Sequence, residues 1–140
     1  MAKSRFEYVK QFEEHHTVLP QLFFVVRVDG RAFSKFSELH CLAKPNDLAA
    51  LEAMNCAAVE VCTQFREVLL AFGESDEYSF AFDRSAQLFG RRREKILSAV
   101  VSLFTAAYTA HFPRLVGPLK ALPSFDARVV CLPTLRSLRD

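Results

Sequence analysis

The stretch Leu70-Ala71-Phe72-Gly73-Glu74-Ser75-Asp76-Glu77-Tyr78-Ser79-Phe80 decides how the rest of the chain is read. An apolar run enters a Gly-bearing tight turn and an alternating apolar run leaves it, which is the pattern of a β-hairpin. Three carboxylates, Glu74, Asp76 and Glu77, sit around the bend. Acids at a hairpin tip are ordinarily solvated turn residues, so the hairpin alone does not make a site. A second acidic turn, Val25-Val26-Arg27-Val28-Asp29-Gly30-Arg31, raises the question of whether the fold brings Asp29 and Asp76 together.

Working outward, Leu22 to Val28 is β-branched, aromatic and almost continuously apolar, which predicts a central strand buried on both faces. Pro45-Asn46-Asp47 predicts a helix start, with Asn46 or Asp47 capping the first turn of a helix that runs to about Phe65. Its inward stripe would be Leu51, Met54, Ala58, Val61 and Phe65. The hairpin strands follow at 68–72 and 77–82, then a second long helix over roughly 91–111 with Ile96, Val100, Phe104 and Ala107 inward. A fourth strand is predicted over Ala127 to Leu132, stopped by Pro133, and a further helix begins at Thr134. Phe6, Val9 and Phe12 are at helical spacing after Ser4, and Arg31 to Lys44 reads as a polar, looser segment.

This order, β-α-β-β-α-β, is the α+β ferredoxin-like arrangement: an antiparallel four-stranded sheet with two helices on one face. Right-handed crossovers place the third strand between the first and second, with the fourth outside the first. Asp29 at the end of the first strand and Asp76 at the start of the third then lie at the same end of neighbouring strands, about 4.8 Å apart.

Composition sets the frame for this fold. A chain of 140 residues is about one domain, and 51% hydrophobic with 24% charged residues is ordinary globular composition. The formal net charge of +2 is too small to argue for a nucleic-acid or membrane partner by itself. No uninterrupted apolar run reaches the roughly 18 residues of a membrane span, and the N-terminus has no apolar core of a signal peptide. Cys41, Cys56, Cys62 and Cys131 form no CxxC pair, so inert buried thiols in a reducing compartment are expected, in the cytoplasm or the nucleus.

Two carboxylates converging at a sheet rim repel unless a cation or a shared proton lies between them. Oxygen donors without nearby His or Cys favour Mg²⁺, and a pair of such ions serves phosphoryl or nucleotidyl transfer. Gly30, lacking a Cβ, lets the backbone approach an ion or phosphate closely. Glu77 follows Asp76, so along a strand it would point to the other face and be the weaker ligand. Lys44-Pro45-Asn46-Asp47 puts a cation and capping groups at a helix N-terminus, a candidate anion or base-edge site. Arg91, Arg92, Arg93 and Lys95 form a basic knot that reads as a solvated helix face, or as a triphosphate grip if it lies beside the metal site. His15, His16, His40 and His111 read as surface or packing residues.

Taken together, Met1-Ala2-Lys3-Ser4-Arg5-Phe6-Glu7-Tyr8-Val9, Val26-Arg27-Val28-Asp29-Gly30-Arg31, Lys44-Pro45-Asn46-Asp47, Phe72-Gly73-Glu74-Ser75-Asp76-Glu77-Tyr78-Ser79-Phe80, Arg91-Arg92 and Ser124-Phe125-Asp126 before Arg128 resemble the eukaryotic tRNA-His guanylyltransferases. The resemblance implies a polymerase- or cyclase-like palm and addition of GMP to the 5′ end of tRNA-His, with GTP and ATP as substrates and two Mg²⁺ ions. It implies catalytic roles for Asp29, Asp76 and Glu77, and metal ligation by Asp29, Asp76 and the Gly30 carbonyl. Nucleotide contacts would come from Asp29, Gly30, Arg31, Ala32, Phe33, Ser34, Lys44, Asn46, Asp47, Ser75, Asp76, Arg92 and Lys95. Partners would be tRNA-His, nucleoside triphosphates and further copies of the chain, tetrameric in the family, with no membrane. Residues 1–133 would form the palm-like catalytic domain and 134–140 the start of a truncated C-terminal region. Ala32, Ser34, Glu74 and Ala127 depart from the family's usual Asn, His, Gln and Gly. The resemblance therefore carries two expectations, an active guanylyltransferase or a catalytically impaired palm that binds nucleotide or a partner subunit.

Overall fold

The structure, a computed structural model, describes residues 4–140. Four strands, β1 (Phe23–Gly30), β2 (Val68–Glu74), β3 (Glu77–Phe82) and β4 (Phe125–Leu132), form one sheet in the order β2-β3-β1-β4 with every pair antiparallel. That is the order expected from right-handed crossovers. Helices α2 (Leu48–Gln64) and α3 (Arg93–Leu115) supply the long crossovers and pack on each other and on one face of the sheet. A short helix, α4 (Leu135–Arg139), follows β4.

The strands alternate because only one face is covered. Phe24, Val26 and Val28 of β1 are fully buried toward the helices, whereas Val25, Arg27 and Asp29 on the other face are partly exposed. The expectation of a strand buried on both sides is thus corrected: both crossover helices lie on one side and leave the other open. The core itself is aromatic. Phe24 and Phe82 stack at 4.7 Å, and Phe104, Tyr108 and Phe125 meet edge to face at 5.1 and 5.2 Å. Such pairs add about 0.5–1.5 kcal/mol each beyond their area. α3, at 23 residues, is long and apolar enough to cross a bilayer, but Ile96, Val100 and Phe104 on its inner stripe are fully buried in this core. Core packing accounts for its apolarity.

Four local expectations change. The N-terminal segment forms a 3₁₀ helix (Glu7–Phe12) without a side-chain cap, and Phe6, Val9 and Phe12 are exposed, because nothing among the described residues covers them. The polar segment 31–44 contains a helix, α1 (Phe33–Leu39), which forms because Phe33 and Phe36 drive one face of it into the core against Tyr108 and Phe112. No thiol is fully buried: Cys41 and Cys131 are exposed and Cys56 and Cys62 partly so. Apart from these changes, the register of the edge strand β2 to β3 slips between Val68 and Leu70, a bulge that lifts Leu69 out of the ladder.

The fourth change concerns Arg91. It is only 5% exposed, far from a solvated face. Its guanidinium donates to the carbonyls of Val18, Leu19 and Leu22 in the segment before β1 (3.0, 2.9 and 3.1 Å). It also donates to those of Arg84 and Ala86 after β3 (3.2 and 2.7 Å). Its guanidinium carbon sits 5.2 Å from the Phe24 ring centroid. Five donors in a planar fork suit this task, since the isolated carbonyls face inward with no other partner.

Candidate functional site

The β2–β3 connection consists of Ser75 and Asp76, and Ser75 takes the left-handed conformation (φ 56°) that a two-residue hairpin loop requires. Gly73, read in the sequence as part of the turn, lies instead within β2. Tyr78 covers it so closely that a Cβ there would stand 2.4 Å from the ring. Tyr78 in turn donates its hydroxyl to Asn55 of α2 at 3.2 Å. The hairpin is thus fastened to the helical layer just below its acidic tip.

Across the sheet, the Gly30 amide donates to the Asp76 carbonyl at 3.0 Å, so Asp76 stands opposite Gly30. A Cβ at position 30 would meet the Phe33 ring at 2.5 Å and the Asp76 carboxylate at 2.9 Å. The glycine is needed for this close approach, and the space over it belongs to the Asp76 carboxylate. Ser75 Oγ donates to that carboxylate at 3.2 Å.

Asp29 is paired in register with Glu77 on β3 and with Asp126 on β4. Cross-strand partners point the same way, so Glu77 shares the open face with Asp29, whereas Asp76 comes over the rim from the helical side. Glu77 points to the face opposite Asp76, as alternation along the strand predicts, and it is Asp29 that shares the face of Glu77. With Glu74 opposite Glu77, one row across the four strands reads Glu74, Glu77, Asp29, Asp126. The next row on the same face reads Phe72, Ser79, Arg27, Arg128. Arg27 relieves part of the charge through a 3.7 Å contact with Glu77.

Like charges directly opposed across strands are destabilising, and a cation at this rim would relieve the repulsion. The donors are all hard oxygens: the carboxylates of Asp29, Asp76 and Glu77, with the Gly30 carbonyl nearby. Among the described residues no three acidic, His or Cys groups close around one point. Oxygen donors of this kind suit Mg²⁺, which binds through one or two carboxylates and completes its shell with water and phosphate. Asp29→Asn is expected to raise the melting temperature in EDTA by removing the repulsion, and to abolish the further rise that Mg²⁺ gives the parent chain. Scanning fluorimetry with and without MgCl₂ reads both signs.

Beside this rim a cavity of about 670 Å³ opens between α1, the 42–47 loop, α2 and the hairpin turn. Phe33, Leu42, Pro45, Leu51 and Met54 supply its apolar walls, and Ser34, Ser37, Lys44, Asn46, Asp47, Ser75 and Asp76 its polar groups. Asp47 is the cap of α2: it accepts from the amides of Ala43 and Ala50, both at 3.0 Å, and these bonds hold its carboxyl below the usual range. One residue thereby fixes the loop to the helix start. The α1 wall is fixed by His40, which is hydrogen-bonded through Nδ1 to the Phe36 carbonyl at 2.8 Å and accepts at Nε2 from the Lys120 amide at 2.9 Å.

The fold thus gathers Phe33, Ser34, Lys44, Asn46, Asp47, Ser75 and Asp76 around one cavity, with Gly30 against Phe33 and Asp76 at its edge, whereas Asp29 faces the open side and Arg31 does not line the cavity. Ala32, in the left-handed conformation (φ 56°), starts α1 without a side-chain cap. Arg92 and Lys95 are not brought there. Arg92 bridges to Thr17 and Lys95 lies 5.2 Å from the Phe89 ring, at the opposite end of the sheet, because α3 begins where β3 ends. The sequence reading missed Tyr108, which lines the cavity floor from α3. Its signal was present: it stands four residues beyond Phe104 on the inward stripe, the one position there with a polar tip. Asp126 was quoted but given no role, and its register with Asp29 emerges only from the pairing of β1 with β4.

The model of the family described as tRNAHis guanylyltransferase matches residues 6–133. A Kluyveromyces lactis protein named tRNA(His) guanylyltransferase is 52% identical over 145 residues, covering 100% of this chain and 61% of the relative. The crystal structure of the Saccharomyces cerevisiae tRNA(His) guanylyltransferase superposes with a TM-score of 0.92 at 42% identity, over 97% of this chain and 62% of that one. A bacterial tRNA(His) guanylyltransferase-like protein solved with GTP superposes at 0.78 with 25% identity, over 90% and 60% of the two chains. Its complex with ATP gives 0.82, 25%, 94% and 59%. The chain spans about half to three-fifths of the length of the curated relatives it matches.

Proposed function

The chain belongs to the tRNA(His) guanylyltransferase family, and from this premise we propose that it binds a nucleoside triphosphate in the cavity beside the hairpin and adds GMP to the 5′ end of tRNA-His. The tRNA 5′-phosphate attacks the α-phosphate of ATP or GTP and expels pyrophosphate. The 3′-hydroxyl of a GTP then attacks the activated 5′-phosphate and expels AMP or GMP, and loss of pyrophosphate from the new 5′ end leaves GMP added. The observation that carries this reading is the Asp76 carboxylate, which lines the cavity while lying against Gly30 at the charged rim. Nucleotide and cation can therefore meet at one side chain.

Asp29, Asp76 and the Gly30 carbonyl would hold two Mg²⁺ ions, which when bound polarise the phosphates and neutralise the charge of the attacking and leaving oxygens. The protein's own part is positioning. Leu51 and Met54 offer apolar surface for the base, Lys44 and Ser75 contact the phosphates, and Ser34 lies on the α1 side of the same tail. Glu77, facing Asp29 and touched by Arg27, sets the charge of the rim. A homo-oligomer, tetrameric as the resemblance implies, is the expected assembly, and sedimentation of the purified chain reads it.

Calorimetric titration of the chain with GTP is expected to give a Mg²⁺-dependent binding heat that EDTA abolishes. An absence of heat with Mg²⁺ present overturns the proposal. Binding without guanylate addition to a tRNA-His transcript would favour the second reading, a nucleotide-binding palm that does not transfer.

A further inference from the structure

Tyr108 is 1% exposed, yet it lines the cavity floor. Its ring is enclosed by Phe33, Phe36, Phe112 and Phe125 at centroid distances of 5.9, 6.3, 5.5 and 5.2 Å, so the phenol has a single fixed orientation. Among the described residues its hydroxyl finds no hydrogen-bond partner, although no buried side-chain polar atom sealed from solvent is left unpaired. The oxygen therefore faces the cavity. A phenol held in an aromatic core ordinarily satisfies its hydroxyl within the protein, because an unpaired one costs about 1–3 kcal/mol. Leaving it free at a cavity wall makes sense when a ligand completes it.

We propose that the Tyr108 hydroxyl reads the sugar of the bound nucleoside triphosphate, donating a hydrogen bond to the ribose 2′-hydroxyl and so favouring ribonucleotides over deoxyribonucleotides. This rests on the cavity's being the nucleotide site. Its place between the two ends of that site is the argument for the sugar. Leu51 and Met54 line the cavity from α2, the helix that Asp47 caps, whereas Ser75 and Asp76 line it from the hairpin turn at the cation end. Burial raises the Tyr108 pKa far above the ordinary phenol range and the negative charges of Asp47 and Asp76 add to it, so the hydroxyl stays protonated and able to donate. The group between a base at one end and phosphates at the other is the ribose.

The test is calorimetry of the full chain and of Tyr108→Phe with GTP and with 2′-deoxy-GTP, each in MgCl₂. The parent chain is expected to bind GTP about tenfold more tightly than the deoxynucleotide, the worth of one good hydrogen bond. Tyr108→Phe should bind both with the affinity the parent shows for 2′-deoxy-GTP. A general packing defect would lower both affinities together and leave their ratio intact, and that result overturns the inference. So does a parent chain that binds the two nucleotides equally, whatever the variant does. A parent chain that binds neither overturns the nucleotide-site reading itself, and the sugar contact with it.

Discussion

Arg91→Met is expected to lower the folding stability of the chain by about 3–5 kcal/mol, the scale reached when a buried hydrogen-bonding hub is removed. Methionine keeps most of the volume and takes away every donor. The carbonyls of Val18, Leu19, Leu22, Arg84 and Ala86 then lose the one group that satisfies them. A domain of this size has only about 5–15 kcal/mol in total, so the variant should unfold at a much lower urea concentration and accumulate poorly. Arg91→Lys should recover only part of the loss, since an ammonium has three donors and no planar fork to span two segments. Urea denaturation followed by circular dichroism measures both. A loss below about 1 kcal/mol for the methionine variant would mean that water replaces the guanidinium at these carbonyls.

The second large effect concerns ligand rather than fold. Asp76→Ala is expected to weaken Mg²⁺-dependent GTP binding by on the order of a hundredfold or more, since even outer-shell partners of a metal commonly change its affinity 10–100-fold. The substitution leaves the hairpin intact: the Gly30 amide bonds the main-chain carbonyl of residue 76, not its carboxylate. Thermal stability in EDTA should accordingly be unchanged or slightly higher, because a charge is removed from a crowded rim. Binding of GTP at parental affinity by this variant would exclude Asp76 as a ligand and move the cation to the open-face pair of Asp29 and Glu77.

Strand order, the two long helices and the meeting of the two acidic turns were legible in the sequence. Each rests on a strong periodicity and on handedness rules that leave one arrangement. What escaped was set by contacts distant in sequence. Arg91 looks like a solvated cation beside Arg92 and Arg93, and only the inward carbonyls of residues some 70 positions earlier make it a core residue. Phe33 and Phe36 are too few to announce a helix, and α1 forms because Tyr108 and Phe112 wait for them across the domain. Glu77 faces away from Asp76 as alternation predicts, but that Asp29 shares the face of Glu77 emerges only from the register of β1 with β3. Arg92 and Lys95 are nucleotide contacts by resemblance and by their charge, whereas the direction of β3 carries them to the end of the sheet away from this cavity.

The bulge at Leu69 bears on how this chain behaves among its own copies. β2 is a free edge of the sheet, and Leu69, Leu70 and Phe72 all stand more than half exposed on it. A straight edge of that composition would be a template on which a second strand could zip up in register. With one residue lifted out, the spacing of free amides and carbonyls along the edge is broken near its start, and the strand twists away from any flat partner. Among the described residues, the bulge thus makes this apolar edge a poorer template for a second strand.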